Sequence, residues 1–258
     1  MEQTLNSNWF KQVKFVMVQT SHCGNIGAAA RAIKTMNFSQ LALVNPKNYN
    51  VEDAKISLSD EAVARASSAA DVLEDAQIYA TIEEAIADCQ FIVGASARNR
   101  SMPWPLKDAR NTCIDLAKII KSDQKVAILF GRESSGLTNE ELSLCNAHVQ
   151  IPANEEYSSL NIASAMQVLA YELRTQLMDT TITAVDFEPL ASAKQNELFY
   201  GHLEQVLGDI DFLDQNNPRL LMQKFKRLFA KAKLETTEMN ILRGMLSKID
   251  KNINVKKK

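Results

Sequence analysis

The sequence predicts an α/β protein: a parallel sheet with helices on both faces, followed by a small all-α C-terminal domain. Three observations carry this. Short runs rich in β-branched and aromatic residues alternate with segments of helical periodicity up to about residue 178. The alternation stops over residues 179–191, where Asp, Thr and Pro crowd together. From residue 192 onward the chain reads as helix. Residues 1–178 are therefore assigned to one domain, 179–191 to a linker and 192–258 to a second domain.

The expected strands are Phe15–Val18, Leu41–Val44, Phe91–Gly94, Val126–Phe130 and Val149–Ile151. Most are apolar without alternation, the mark of a strand buried on both faces. Between them, helices are expected near 27–37, 60–75, 81–89, 106–121 and 139–145. Thr138 or Asn139 can cap the last of these, and Glu140 and Glu141 suit its first turn. A long helix follows from Asn161 to about Met178. Its start, Ile162–Tyr171, is apolar on nearly all sides and rich in small residues. Such a helix is either deeply buried or shared with a second subunit. In the C-terminal part, Leu221, Phe225, Leu228, Phe229 and Ala232 fall at roughly helical spacing and form one apolar stripe.

Composition narrows the function classes. Of 258 residues, 46% are hydrophobic and 23% charged, which excludes a disordered chain. No apolar run approaches the roughly 18 residues of a membrane span, and the N-terminus lacks the pattern of a secretory signal. The four cysteines (Cys23, Cys89, Cys113, Cys145) are scattered with no CxxC pair, so neither a disulfide framework nor a zinc cluster is expected, and a reducing cytosol fits best. The three histidines (His22, His148, His202) have no metal-ligand spacing. The net charge of −2 conceals an asymmetry: residues 1–190 carry −7 and residues 191–258 carry +5. Arg219, Lys224, Lys226, Arg227, Lys231 and Lys233 lie in a stretch without an acid. A basic appendage on an acidic body is a footprint for a polyanion, although a solvated helix face gives the same pattern.

In open α/β sheets, ligands bind at the carboxyl ends of the strands. Four such loops carry unusual residues. The first, Gln19 to Arg31, contains Gly24, Asn25 and Gly27 and runs into a helix, with Arg31 about one turn inside it. Its spacing is neither GxGxxG nor GxxxxGK[ST], which removes the dinucleotide and P-loop fingerprints. The second loop, Gly94 to Arg100, places the small residues Ser96 and Ala97 before Arg98 and Arg100. In the third, Phe130 to Glu141, capping accounts for the helix start but not for Gly131, Arg132 or Glu133. The fourth runs from Ile151 through Ser158, Ser159 and Leu160 to Asn161.

Three ordered motifs in these loops resemble the SpoU branch of the SPOUT RNA methyltransferases. They are Asn25-x-Gly27-x-x-x-Arg31, Phe130-Gly131-Arg132-Glu133-x-x-Gly136-Leu137, and Ile151-Pro152 followed by Ser158-Ser159-Leu160-Asn161-Ile162-Ala163. Leu43-Val44-Asn45-Pro46 and Asn240-Ile241-Leu242-Arg243-Gly244 extend the likeness toward members that methylate the anticodon loop of tRNA. The resemblance implies a trefoil knot at the C-terminal end of the catalytic domain, a homodimer, a tRNA partner engaged by the basic helices, and S-adenosylmethionine as methyl donor without a metal. The reaction implied is 2′-O-methylation of cytidine or uridine at position 32. A member acting on another tRNA site or on rRNA is the alternative.

The resemblance also implies site roles. The cofactor loops fall on Ser96, Ala97, Arg98, Gly131, Ile151, Ser158, Ser159 and Leu160. The catalytic set falls on Arg31, Asn25, Arg132 and Glu133. Arg31 is the family's catalytic arginine, either as base or as a stabiliser of the developing alkoxide. A guanidinium with a pKa above about 12 resists the first role. Asn25 is expected to orient Arg31 or the ribose, and Arg132 and Glu133 to organise the site.

Overall fold

The computed structural model describes residues 7–47, 51–52, 55–56, 60–96, 106–154, 156–183, 188–213 and 218–256. In chain order the elements begin α1 (Ser7–Phe10), β1 (Val13–Val18), α2 (Cys23–Thr35), β2 (Gln40–Val44), β3 (Val51–Glu52) and β4 (Lys55–Ile56). They continue α3 (Asp60–Ala66), α4 (Ala70–Glu74), β5 (Gln77–Tyr79), α5 (Ile82–Ile86), β6 (Phe91–Ala95), β7 (Leu106–Asp108) and α6 (Ala109–Lys121). Then come β8 (Val126–Phe130), α7 (Asn139–Leu142), β9 (Ala147–Gln150), α8 (Ile162–Met178), α9 (Ala193–Asp209), α10 (Pro218–Ala232) and α11 (Thr236–Lys256).

Seven strands form one parallel sheet in the order β5-β2-β1-β8-β6-β9-β7. β1 and β8 are central. Val13, Phe15 and Met17 of β1 join one core with α2, α3, α6 and α8, while Val16 and Val18 join a second core with α5 and α7. In β8, Val126, Ile128 and Phe130 face the first core, and Ala127 and Leu129 the second. Two apolar faces require continuous apolar strands, and each buried large side chain contributes roughly 1.5–3 kcal/mol relative to exposure. The one charge in β1, Lys14, escapes at the amino end. Its Nζ donates to Ala85 O and to Asp88, each at 2.8 Å. Partial burial pushes the Asp88 carboxyl up, but hydrogen bonds from Lys125 and Lys14 outweigh it and hold its pKa at about 2.

Several sequence expectations need correction. The helix expected over 60–75 is broken: Ser67 takes a left-handed φ of 53° and a 3-10 turn separates α3 from α4. The helix expected from 106 starts at Ala109, because Leu106–Asp108 pairs with β9 as the sheet edge and Asp108 caps α6 through Asn111 N. The last strand ends at Gln150 rather than Ile151. α2 starts at Cys23, so Arg31 lies two turns inside it, not one. In the stripe expected on α10, Leu228 is 58% exposed and Ala232 is also exposed, whereas Leu221, Phe225 and Phe229 pack inward.

α9, α10 and α11 surround their own apolar cluster of Phe199, Leu203, Val206, Met222, Met239 and Leu246. Phe199 meets Phe229 edge-on at 5.1 Å. The segment leading into α9 is pinned to both sides of the molecule. Leu190 N donates to Gln124 Oε1, Ala191 N to Leu234 O and Ala193 N to Cys89 O, each at 2.9 Å. Leu190 itself is buried in the first sheet core.

α2 reaches the sheet through a close crossing with α3. A Cβ on Gly27 would lie 2.0 Å from Ala62 O, so only glycine permits that approach. Gly27→Ala is expected to force the helices apart and to cost about 1–3 kcal/mol, read as a lower midpoint in urea unfolding.

Candidate functional site

The carboxyl ends of β8, β6 and β9 face one cleft. Its walls include Ser96 after β6, the turn 132–137 after β8, Ile151 after β9, and Ser158, Ser159 and Leu160 before α8. Seven residues expected from the sequence therefore line one space: the cofactor candidates Ser96, Ile151, Ser158, Ser159 and Leu160, and the catalytic candidates Arg132 and Glu133. Ala97 and Arg98 lie outside the described residues. Gly131 does not line the cleft. It lies beneath the turn, where a Cβ would sit 2.1 Å from the Gly136 carbonyl carbon and 2.2 Å from Leu137 N. The turn closes through Gly136 N to Arg132 O at 2.8 Å, with Gly136 at a left-handed φ of 69°. Two lining residues, Ser134 and Ser135, are absent from the sequence-based set. Their Ser-Ser-Gly step inside an already flagged loop was the available signal.

The catalytic candidates fall into two groups. Glu133 and Asn25 form one network. The Glu133 carboxylate accepts from Asn25 Nδ2 at 3.0 Å, from Ser21 Oγ at 3.3 Å, and from the backbone N–H groups of Ser21 and His22 at 3.4 Å each. Asn25 Oδ1 in turn accepts from Asn161 Nδ2 at 3.0 Å. Asn161 caps α8 by accepting from Ala163 N at 2.9 Å. A chain of amides thus joins the start of α2 to the loop at the cleft rim. Arg31 is exposed on α2, and its side chain has no hydrogen bond or ion pair among the described residues. It is a cation available to an external anion.

Arg132 is engaged differently. Nη1 and Nη2 donate to Glu141 at 3.0 and 2.8 Å, and Nε donates to Gln19 Oε1 at 3.0 Å. The pair is largely buried, with side-chain exposures of 19% and 14%. Glu141 raises the already high pKa of Arg132. Glu133 moves the other way. Burial opposes its charge, but the hydrogen bonds from Asn25 and the loop backbone prevail and lower its pKa. A carboxylate so engaged is an anchor and a poor proton acceptor. No group of His, Cys, Asp and Glu suited to a metal ion occurs among the described residues. No helix among them is long and apolar enough to cross a membrane.

The SpoU rRNA Methylase family description matches residues 12–171, and that of the tRNA methyltransferase TrmJ C-terminal domain matches residues 194–258. The chain is 44% identical over 250 residues to the tRNA (cytidine/uridine/adenosine-2′-O-)-methyltransferase TrmJ of Pseudomonas aeruginosa, covering 93% of this chain and 94% of that protein. Its identity to the tRNA (cytidine/uridine-2′-O-)-methyltransferase TrmJ of Sodalis glossinidius is 45% over 243 residues, covering 92% and 91%. Among solved structures, TrmJ from Z. mobilis matches with a TM-score of 0.79 at 28% identity, over 92% of this chain and 98% of that one. A putative methylase family protein from Neisseria gonorrhoeae matches with a TM-score of 0.71 at 32% identity, over 79% and 99%.

Glu133→Gln keeps the size of the side chain but removes its charge and sets an amide N–H₂ against two of its four donors. It is expected to cost about 1–2 kcal/mol at neutral pH by urea unfolding. Because folding lowers the Glu133 pKa, its contribution is present above its unfolded value of about 4.3 and is lost as pH falls. Wild type and variant should therefore converge in acid.

Proposed function

The chain belongs to the SpoU rRNA methylase family and carries a TrmJ C-terminal domain, and from that premise we propose that it transfers a methyl group from S-adenosylmethionine to a ribose 2′-hydroxyl of tRNA. The target on this reading is a cytidine or uridine at position 32 of the anticodon loop. The observation that carries it is the Glu133–Asn25–Asn161 chain, which holds the helix bearing Arg31 against the same rim as Ser158–Leu160.

The cleft suits the donor. Val149, Ile151 and Ile162 form an apolar wall, and the small side chains of Ser96, Ser134, Ser135, Ser158 and Ser159 leave room for a nucleoside while offering hydroxyls at its edge. S-adenosylmethionine supplies a methyl group activated on a sulfonium. The chain's own residues supply alignment and charge. Asn25, held from both sides, fixes the start of α2. Arg31 acts as a cation, binding an RNA phosphate and stabilising the 2′-oxygen while the hydroxyl proton passes to water and the methyl group moves from sulfur to that oxygen. Arg132, in the cleft wall, organises the turn through partners that lie outside the cleft, Glu141 and Gln19.

The same reading assigns residues 1–178 to catalysis, 179–191 to a linker and 192–258 to tRNA binding in the cytoplasm. It includes a trefoil knot formed around the loops at 130–137 and 151–161, which meet at one cleft before α8 packs against α2 and α6. It also includes a homodimer. Ser164, Tyr171 and Met178 recur every seven residues on α8 and are all exposed, a stripe fit for a second subunit. The rRNA in the family's description supports a second reading, with rRNA as substrate, and the C-terminal domain favours tRNA.

On α10, Lys226 lies over the Tyr200 ring at 5.7 Å, and Lys233 just past its end lies over Phe91 at 5.4 Å, whereas Lys224 and Lys231 on α10 are exposed and over no ring among the described residues. The exposed pair is the better phosphate contact. Lys224→Glu with Lys231→Glu is expected to weaken tRNA binding and flatten its salt dependence by about one to two ions, while donor binding stays intact. Arg31→Ala is expected to lower methyl transfer at least about 100-fold and leave S-adenosylhomocysteine binding, measured by calorimetry, unchanged. Mapping 2′-O-methyl groups in tRNA from cells with and without the protein tests the target nucleotide.

A further inference from the structure

We propose that Glu141 is a positioning residue for the methyl-donor cleft, acting through Arg132 and Gln19. This rests on the reading of that cleft given above. Glu141 belongs to α7 and does not line the cleft, yet it meets the turn that does. Its carboxylate takes both terminal nitrogens of Arg132, the first residue of the turn 132–137. A bidentate fork of this kind fixes the guanidinium plane as well as its distance. The fourth donor direction is also used: Arg132 Nη1 reaches Gly136 O at 3.3 Å and so braces the turn across its own neck.

The third corner is Gln19, at the carboxyl end of β1. Its backbone is held at a left-handed φ of 50° by a hydrogen bond from its N–H to Val44 O at 2.8 Å. That conformation aims Oε1 at Arg132 Nε. Arg132 and Glu133 therefore tie the same turn to the same β1–α2 connection, one through Gln19 and the other through Ser21, His22 and Asn25. Glu141 supplies the charged partner that sets where the Arg132 tie points. The donor-facing turn and the Arg31 helix are thereby held in one register.

Glu141 has a second task, and this makes the proposal testable. With Thr138 it forms the capping box of α7: Glu141 N donates to Thr138 Oγ1 at 3.2 Å and Thr138 N to Glu141 Oε2 at 2.7 Å. Glutamine serves in a capping box as well as glutamate. Glu141→Gln thus keeps the cap and removes the charge, while Thr138→Ala weakens the cap and keeps the ion pair.

Calorimetry of S-adenosylhomocysteine binding by the full chain, beside thermal unfolding, separates the two. The expected result is a loss of roughly five- to tenfold in affinity for Glu141→Gln with little change in melting temperature. Thr138→Ala should show the reverse. Adding Glu141→Gln to Arg132→Met should cause no further loss, because the effect runs through Arg132. Equal affinity in wild type and Glu141→Gln overturns the proposal. So do additive losses in the double variant, or affinity losses that follow melting temperature in both single variants. A wild-type chain that binds no S-adenosylhomocysteine overturns the reading of the cleft, and this inference with it.

Discussion

One carboxylate holds the functional end of the molecule together. Glu133 is the common acceptor for two backbone N–H groups, one hydroxyl and one amide, all from the β1–α2 connection. The path of that connection depends on an acceptor placed from outside, and β8 delivers the acceptor because it is the strand beside β1. Hydrogen bonds to an ionised group are about twice as strong as neutral ones, and partial burial keeps water from competing for them. The start of α2 and the reach of Asn25 toward Asn161 follow from that placement.

The acceptor can only be there because Gly131 precedes it. The turn 132–137 folds back across Gly131 so closely that any side chain would meet backbone. Steric permission and electrostatic demand thus occupy adjacent positions. Arg132, between the two, carries a charge answered from outside the cleft. Two arginines that look alike in the motifs therefore have opposite character: Arg132 is neutralised within the protein and Arg31 is left to meet something that arrives.

The central strands were legible because burial on both faces leaves them no polar positions. β5 and β7 were not, since Gln77-Ile78-Tyr79 and Leu106-Lys107-Asp108 are half-exposed edges without a pattern. The break at Ser67 was hidden because nothing in Ala66-Ser67-Ser68 announces a left-handed residue. The four loops were legible as unusual, and five of the expected cofactor residues do share one cleft. Gly131, expected in the cofactor loops, has a packing role the sequence could not show, because a glycine that admits a ligand and one that admits another stretch of backbone look the same in a sequence. The basic character of the C-terminal part could be counted, but not which lysines lie over aromatic rings. That depends on Tyr200 and Phe91, which are remote from them along the chain.

The stretch from Leu190 to Ala193 has a mechanical consequence. It is threaded by backbone hydrogen bonds to Gln124 and Cys89 on one side and to Leu234 on the other, with Leu190 sunk in the sheet core. A junction stitched in this way behaves as a weld and not as a tether. The cationic helix and the cleft become two jaws of a fixed caliper, so a long polyanion held by one jaw presents to the other only the part at a set spacing. On the function proposed above, selection of one nucleotide then needs no reading of its base: a rigid gauge and a folded substrate of constant shape are sufficient.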